Sequence, residues 1–197
     1  GLVGAQVYAR HETADKHRRA LPIESKESMR WLEGAQTAKR YLDTARHVTV
    51  VADRESDIYE EWERLPEAGF DLLTRACRDR ALAGGGYLYA WSDKLPVAER
   101  FTLDLPERPG KRSARTATLE LRYGAVAVKR PRNGTHPGAA PAITLRMVDV
   151  REVDAPAGED PVHWRLLTTH QVEDTAKALE IVLWYRRRWT IEQLFRT

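Results

Sequence analysis

The stretch WYRRRWTIEQ, residues 184–193, spaces a phenol, a guanidinium and a carboxylate so that a helix would bring them together. At about 100° per residue, Tyr185, Arg188 and Glu192 fall within roughly a 60° arc. Arg188 and Tyr185 are donors suited to phosphate oxygens, the guanidinium bidentately. A carboxylate in that company repels phosphate unless a divalent cation stands between them. Acids holding Mg²⁺ against a phosphodiester are the design for in-line displacement. Such chemistry needs a second acid, and Asp53 is the candidate. It ends the apolar, β-branched run HVTVVAD, where a side chain leaves the dry interior of a sheet and faces a crevice. Two carboxylates are a small ligand set for two metals, so a third acid is expected.

Both acids also have plainer readings. An Asp after a strand often caps the next turn. Arg188 and Glu192 form an i,i+4 pair, worth only about 0.2–0.5 kcal/mol and less in this basic-first order. Ala176, Leu179, Leu183 and Leu194 lie on the opposite side of the helix and read as its core stripe.

The elements that must position these groups follow from periodicity. Residues 1–10 alternate like a strand. Met29, Leu32, Ala35, Ala38, Tyr41, Leu42 and Ala45 recur at three and four, which predicts a helix within 24–45. HVTVVADRE and FDLLTRA read as strands buried on both faces, with a helix over 57–65 between them. That order implies a parallel pair with a right-handed crossover. From 79 to 160 the texture changes to short alternating runs between turn signals (AGGG, RPG, RNGTHPG, APAGEDP), an antiparallel β segment in which Gly124 marks a hairpin or bulge. VHWRLLTTH is a further strand, and a long helix is expected over 172–196. The sum is an α/β core interrupted by a β-rich insertion.

Composition narrows the class. The 197 residues, 42% hydrophobic and 31% charged, allow one sizeable core and a small second lobe. A net charge of +3 with a pI near 9.1 is compatible with a polyanionic partner. The single Cys77 excludes an internal disulfide, and no C-x-x-C or His/Cys cluster suggests zinc, so a reducing compartment is expected. No apolar run approaches the roughly 20 residues of a membrane helix, and no signal peptide is visible. A soluble intracellular fragment, cut from a longer protein, is expected.

Read together, Tyr185, Arg188 and Glu192 resemble the first three letters of the Y-R-E-K signature of bacterial cut-and-paste DDE transposases of the insertion-sequence class. VVADRESDIYE is similar to the strand carrying that family's second catalytic Asp, which maps to Asp53. KESMRWLEG, FDLLTRA with Arg75, and VHWRLLTTH with Trp164 also resemble family segments, so the likeness runs over essentially the whole chain. It implies an α/β, ribonuclease H-like mixed sheet with flanking helices, interrupted by a mostly antiparallel β insertion domain. The divisions would be 1–78 for the first part of the core, 79–168 for the insertion and 169–197 for the catalytic helix. It implies Mg²⁺ or Mn²⁺ held by Asp53 and Glu192, double-stranded DNA as substrate, a homodimer in the full-length protein and a bacterial cytoplasmic, nucleoid-associated location.

The implied reaction is a nick at the transposon end, attack by the freed 3′-OH to form a hairpin, and later joining to target DNA. Arg188 and Tyr185 would hold the phosphate beside the cleaved bond, or else brace the helix. Arg75 would face DNA, or else pair with an acid of DRESD. Trp164 would stack near a flipped base, or else belong to the core. Lys111 and Arg112, with Arg115, Lys129, Arg130 and Arg132, would track the DNA backbone, or else be solvated turns. Trp31, Trp62 and Trp91 read as packing. The family's first Asp has no match here and its Lys would fall near position 199, so the fragment is expected to be catalytically incomplete. A non-cleaving regulator that binds transposon ends, and a metal-dependent nuclease on the same core, are the rival readings.

Overall fold

The computed structural model describes residues 21–107, 110, 113–133, 135–136 and 138–189. The strand expected at 1–10 lies outside them. A 3-10 turn, Ile23–Ser25, leads into helix α1, Met29–Tyr41, which buries Leu32 and Ala35. Strand β1, Val48–Ala52, helix α2, Tyr59–Arg64, and strand β2, Phe70–Arg75, then form the expected crossover unit. The two strands are parallel, in register from Val48 opposite Phe70 to Ala52 opposite Thr74.

The β-rich stretch contains a short helix that the sequence reading did not anticipate, α3, Leu88–Ser92. It is followed by β3, Glu99–Leu105, β4, Arg115–Lys129, β5, Ala142–Val153, and β6, His163–Thr168. All six strands share one sheet in the order β1-β2-β6-β5-β4-β3. β2 and β6 pair antiparallel, as do β6 and β5, β5 and β4, and β4 and β3. The later strands therefore extend the core sheet from the open edge of β2. This mixed sheet with flanking helices agrees with the ribonuclease H-like class expected above.

Gly124 is neither a hairpin nor a bulge. It sits in the middle of β4, opposite Met147, and the ladder runs unbroken through it. A Cβ built there would lie 3.0 Å from Leu95 Cδ2 and 3.2 Å from Trp91 Cη2. The glycine is present because the α3 region leans against the strand, and only a missing side chain leaves room.

Alternation along the strands gives the sheet two apolar faces. On one, Val51, Leu73, Leu119, Val148 and Leu166 meet helix α4, Thr175–Arg187. On the other, Phe70, Leu72, Met147 and Leu167 meet Tyr59 and Trp62 of α2 and Leu88 of α3. Asp174 caps α4, its carboxylate accepting the Lys177 N–H at 2.7 Å. The buried stripe of α4 is Ala178, Ile181, Val182 and Tyr185, whereas Leu183 is 52% exposed. The expected stripe of Ala176, Leu179 and Leu183 is thus corrected: Ala176 and Leu183 are exposed and Leu179 packs half-buried at the margin, while Ala178, Ile181, Val182 and Tyr185 face the sheet.

Replacing Gly124 by Val should overpack this contact. Urea unfolding is expected to show a loss of about 1–3 kcal/mol. An unchanged midpoint would mean that Trp91 and Leu95 yield freely.

Candidate functional site

Asp53 follows β1 in extended conformation and continues the alternation that points Val51 toward α4. Its Oδ1 accepts the Glu55 N–H at 2.8 Å, capping the 3-10 turn Arg54–Ser56. Among the described residues, Oδ2 accepts no hydrogen bond. The capping role and an oxygen directed elsewhere coexist in one side chain.

Helix α4 packs over β1, β2, β4 and β5. Near one end of the strands, Trp184 lies 4.9 Å from His170. Toward the other, Tyr185 and Trp189 pack edge-on against Trp164 at 5.5 and 5.7 Å. Trp164 stands two residues beyond Leu166, the partner of Arg75, so it lies past the C-terminal end of β2. The helix therefore carries the chain toward the sheet edge that bears Asp53. Glu192, Lys111 and Arg112 lie outside the described residues.

Trp164 is 4% exposed and Tyr185 2%, both enclosed in the layer beneath α4. In this arrangement Trp164 belongs to the core and offers no open face to a base. Arg188 follows with its guanidinium 5.7 Å from the Tyr185 ring. Arg75 donates from Nη2 to the His163 carbonyl at 2.9 Å, joining the ends of β2 and β6.

Neither acid of DRESD that finds an arginine takes Arg75: Glu55 pairs with Arg30, and the buried Asp57 pairs with Arg80. The Asp57 side chain is fully buried and that of Arg80 is 6% exposed. Arg80 Nε donates to Oδ1 at 2.7 Å, and Oδ2 accepts the backbone N–H groups of Cys77 at 2.7 Å and Arg78 at 2.9 Å. The guanidinium also lies 4.6 Å from the Trp62 ring. The loop after β1 is thereby fixed to the loop after β2. Beneath it, Ser56 donates to Glu61 Oε2 at 2.5 Å, and burial pushes the Glu61 carboxyl up to about 7.

Beside this loop opens a cleft of ≈ 1170 Å³ lined by α1 and the turn before it, by Arg54, Glu55 and Asp57, and by residues 131–133 and 135. Of its cations, Arg30 pairs with Glu27 and Glu55, and Arg80 with Asp57. Lys26, Arg54, Arg78 and Arg132 make no ion pair among the described residues, so the lining carries uncompensated positive charge suited to phosphates.

A second polar cluster lies at the opposite end of β1 and β2. His47 Nε2 is 3.0 Å and His170 Nδ1 3.4 Å from Asp71 Oδ2. Burial lowers the His170 pKa. On the α2 face, Arg151 and Arg165 both reach Asp93, at the end of α3, and the buried Asp149. Although burial opposes it, hydrogen bonds from His163 and Arg151 hold Asp149 at about 2, and the network fastens α3 to β5 and β6. Sequence reasoning missed all three of these clusters. The only available signal was parity: His47 and His170 each lie two residues from a strand position on the face of Asp71.

A family model described as "Transposase DDE domain" matches residues 33–197. The chain belongs to that family. As a transposase domain it is an enzyme of the transposase and nuclease kind, with DNA as its substrate and divalent metal as the family's cofactor. Asp53 suits that cofactor: a carboxylate at a strand end with one oxygen outside the cap. Among the described residues, no helix is long and apolar enough to cross a membrane.

Two outcomes follow from the buried charges. Arg80→Ala leaves Asp57 buried and uncompensated, and should cost about 3–5 kcal/mol in denaturant unfolding. Glu61 binds its proton more tightly in the folded state, near 7 against about 4.5 unfolded. Its contribution to stability is therefore present below pH 4.5 and is lost as pH rises toward 7. Glu61→Gln should flatten that slope and stabilise the domain at pH 8, by about 3 kcal/mol at most. Parallel stability–pH curves for the two proteins would refute the assignment.

Proposed function

We propose that this transposase domain is the catalytic core of a bacterial cut-and-paste element of the Y-R-E-K type, in which Asp53 and Glu192 hold Mg²⁺ or Mn²⁺. The observation that carries this reading is the convergence of α4 on the sheet edge where Asp53 keeps one carboxylate oxygen outside its cap. Bound there, the metal would polarise the phosphodiester and activate the attacking oxygen.

The chain's own groups supply orientation. The Glu55 N–H fixes the Asp53 carboxylate, and the Asp57–Arg80 pair holds the loop that carries both. Arg188, beside the Tyr185 ring, grips the phosphate next to the cleaved bond, with Tyr185 as its support. Arg75, Lys111 and Arg112 follow the DNA backbone, joined by Lys26, Arg54, Arg78 and Arg132 of the cleft. Trp164 seats α4 rather than a base. Residues 79–168 act as the insertion and 1–78 with 169–197 as the core. The full-length enzyme is a dimer on paired transposon ends in the bacterial cytoplasm.

The test is Mg²⁺-dependent nicking of transposon-end DNA by the full-length enzyme. Asp53→Asn and Glu192→Gln should each lower the nicking rate by about 10²–10³-fold or more, the loss typical of removing one group that stabilises developing charge. DNA affinity should persist. Wild-type rates in either variant would remove that residue from the site. Hydrolysis without joining of the 3′-OH would make the protein a nuclease instead.

A further inference from the structure

We propose that His47, Asp71 and His170 form a second metal site, for a first-row transition ion such as Zn²⁺, at the end of the sheet opposite Asp53. The three donors come from three neighbouring stretches of chain: just before β1, within β2 and just after β6. Sheet alternation puts all three on the face covered by α4, with Asp71 opposite His170 in the extended register. One ligand atom from each lies within 4.8 Å of the other two.

The donor set selects the ion. Two imidazoles and one carboxylate match zinc sites that keep an open position, whereas Mg²⁺ and Ca²⁺ prefer oxygen shells. Neighbouring hydroxyls already hold two of the three ligands. Thr49 Oγ1 lies 2.9 Å from His170 Nε2, which leaves Nδ1 turned toward Asp71. Thr169 Oγ1 donates to Asp71 Oδ1 at 2.6 Å, which leaves Oδ2 between the two rings. Such partners orient ligands and tune their basicity.

The rings of His47 and His170 are stacked, 5.1 Å apart and 15° from parallel. One must turn to place both nitrogens on a single ion. His47, whose side chain is 46% exposed, has that freedom and leaves a path from solvent, while His170 is held under Trp184. Lys177, over the far side of Trp184, is engaged by Glu180 at 2.7 Å. A bound ion would cross-link β1, β2 and β6 directly beneath the helix expected to bring Glu192 to the catalytic edge.

The decisive experiment titrates the metal-free protein with Zn²⁺ by calorimetry in excess Mg²⁺, and with Co²⁺ by visible absorption. One tightly held equivalent, insensitive to Mg²⁺, is expected, with d–d bands of a low-coordinate Co²⁺ site and a higher melting temperature. His47→Ala, at a half-exposed ring outside the core, should weaken Zn²⁺ binding by about 10–100-fold or more while far-UV circular dichroism stays that of the wild type. His170→Gln should do the same, and Asp53→Asn should leave it unchanged. Unaltered affinity in His47→Ala, loss of binding in Asp53→Asn, or no uptake at micromolar Zn²⁺ would each overturn the proposal. Because Asp53→Asn also reports on the catalytic site, failure of one site is distinguishable from failure of the other.

Discussion

A carboxylate with no access to water keeps its charge only when every oxygen is met by a donor. Asp57 satisfies that condition with Arg80 on one oxygen and two backbone amides on the other. The rest of the site depends on this knot. Asp53 and Asp57 belong to one short loop, and a loop that moved would move the first carboxylate with it. By gripping the chain on both sides of the crossover, the pair turns two loops at the sheet edge into one rigid rim. The Trp62 ring against the guanidinium ties that rim to the apolar layer beneath α2.

The sheet supplies the second constraint. Because β6 lies next to β2, the strands from β3 to β6 are continuous in one sheet with β1 and β2. α4 can then pack over β1, β2, β4 and β5 at once, and its course is set by which side chains fill the layer. Trp164 acts as a stop: Tyr185 and Trp189 lean on it edge-on, which fixes where the helix ends relative to the strand tips. Edge-to-face contacts define angle as well as distance, and a helix proposed to carry a metal ligand needs both.

Much of this frame was legible in the chain. HVTVV and FDLLTRA announced a parallel pair, with β2 largely buried as expected but β1, last in the strand order, only half-buried, and the position of Asp53 at the end of β1 followed directly. The alternating runs ERFTLDL and AITLRMVDVREV became β3 and β5 with little change of boundary. What failed to read failed for a physical reason. Gly124 looked like a turn because its value lies in Trp91 and Leu95, some thirty residues away, and no local pattern encodes a neighbour. The inward face of α4 was ambiguous because apolar residues occur on both sides of the helix, and Leu183 remains exposed. Asp57 and Arg80 are separated by a whole crossover, so their pairing appears only once β1 and β2 lie side by side. His47, Asp71 and His170 are likewise scattered, and only the sheet register gathers them.

The pairing of Leu73 with Thr168 has a consequence for how the chain is made. Contacts between residues so distant in sequence are slow to form, because a long loop must close first. On the ribosome, the unit from β1 to β2 emerges well before its neighbour β6 has been translated. During that interval β2 offers an unpaired edge flanked by Leu72 and Leu73, a template for association with other nascent chains. The β3–β4–β5 meander, built from near neighbours, can fold meanwhile and deliver β6 as a preformed edge. Synthesis of this domain is therefore most vulnerable between the appearance of residue 75 and that of residue 168, and a translational pause in that window would prolong the exposure.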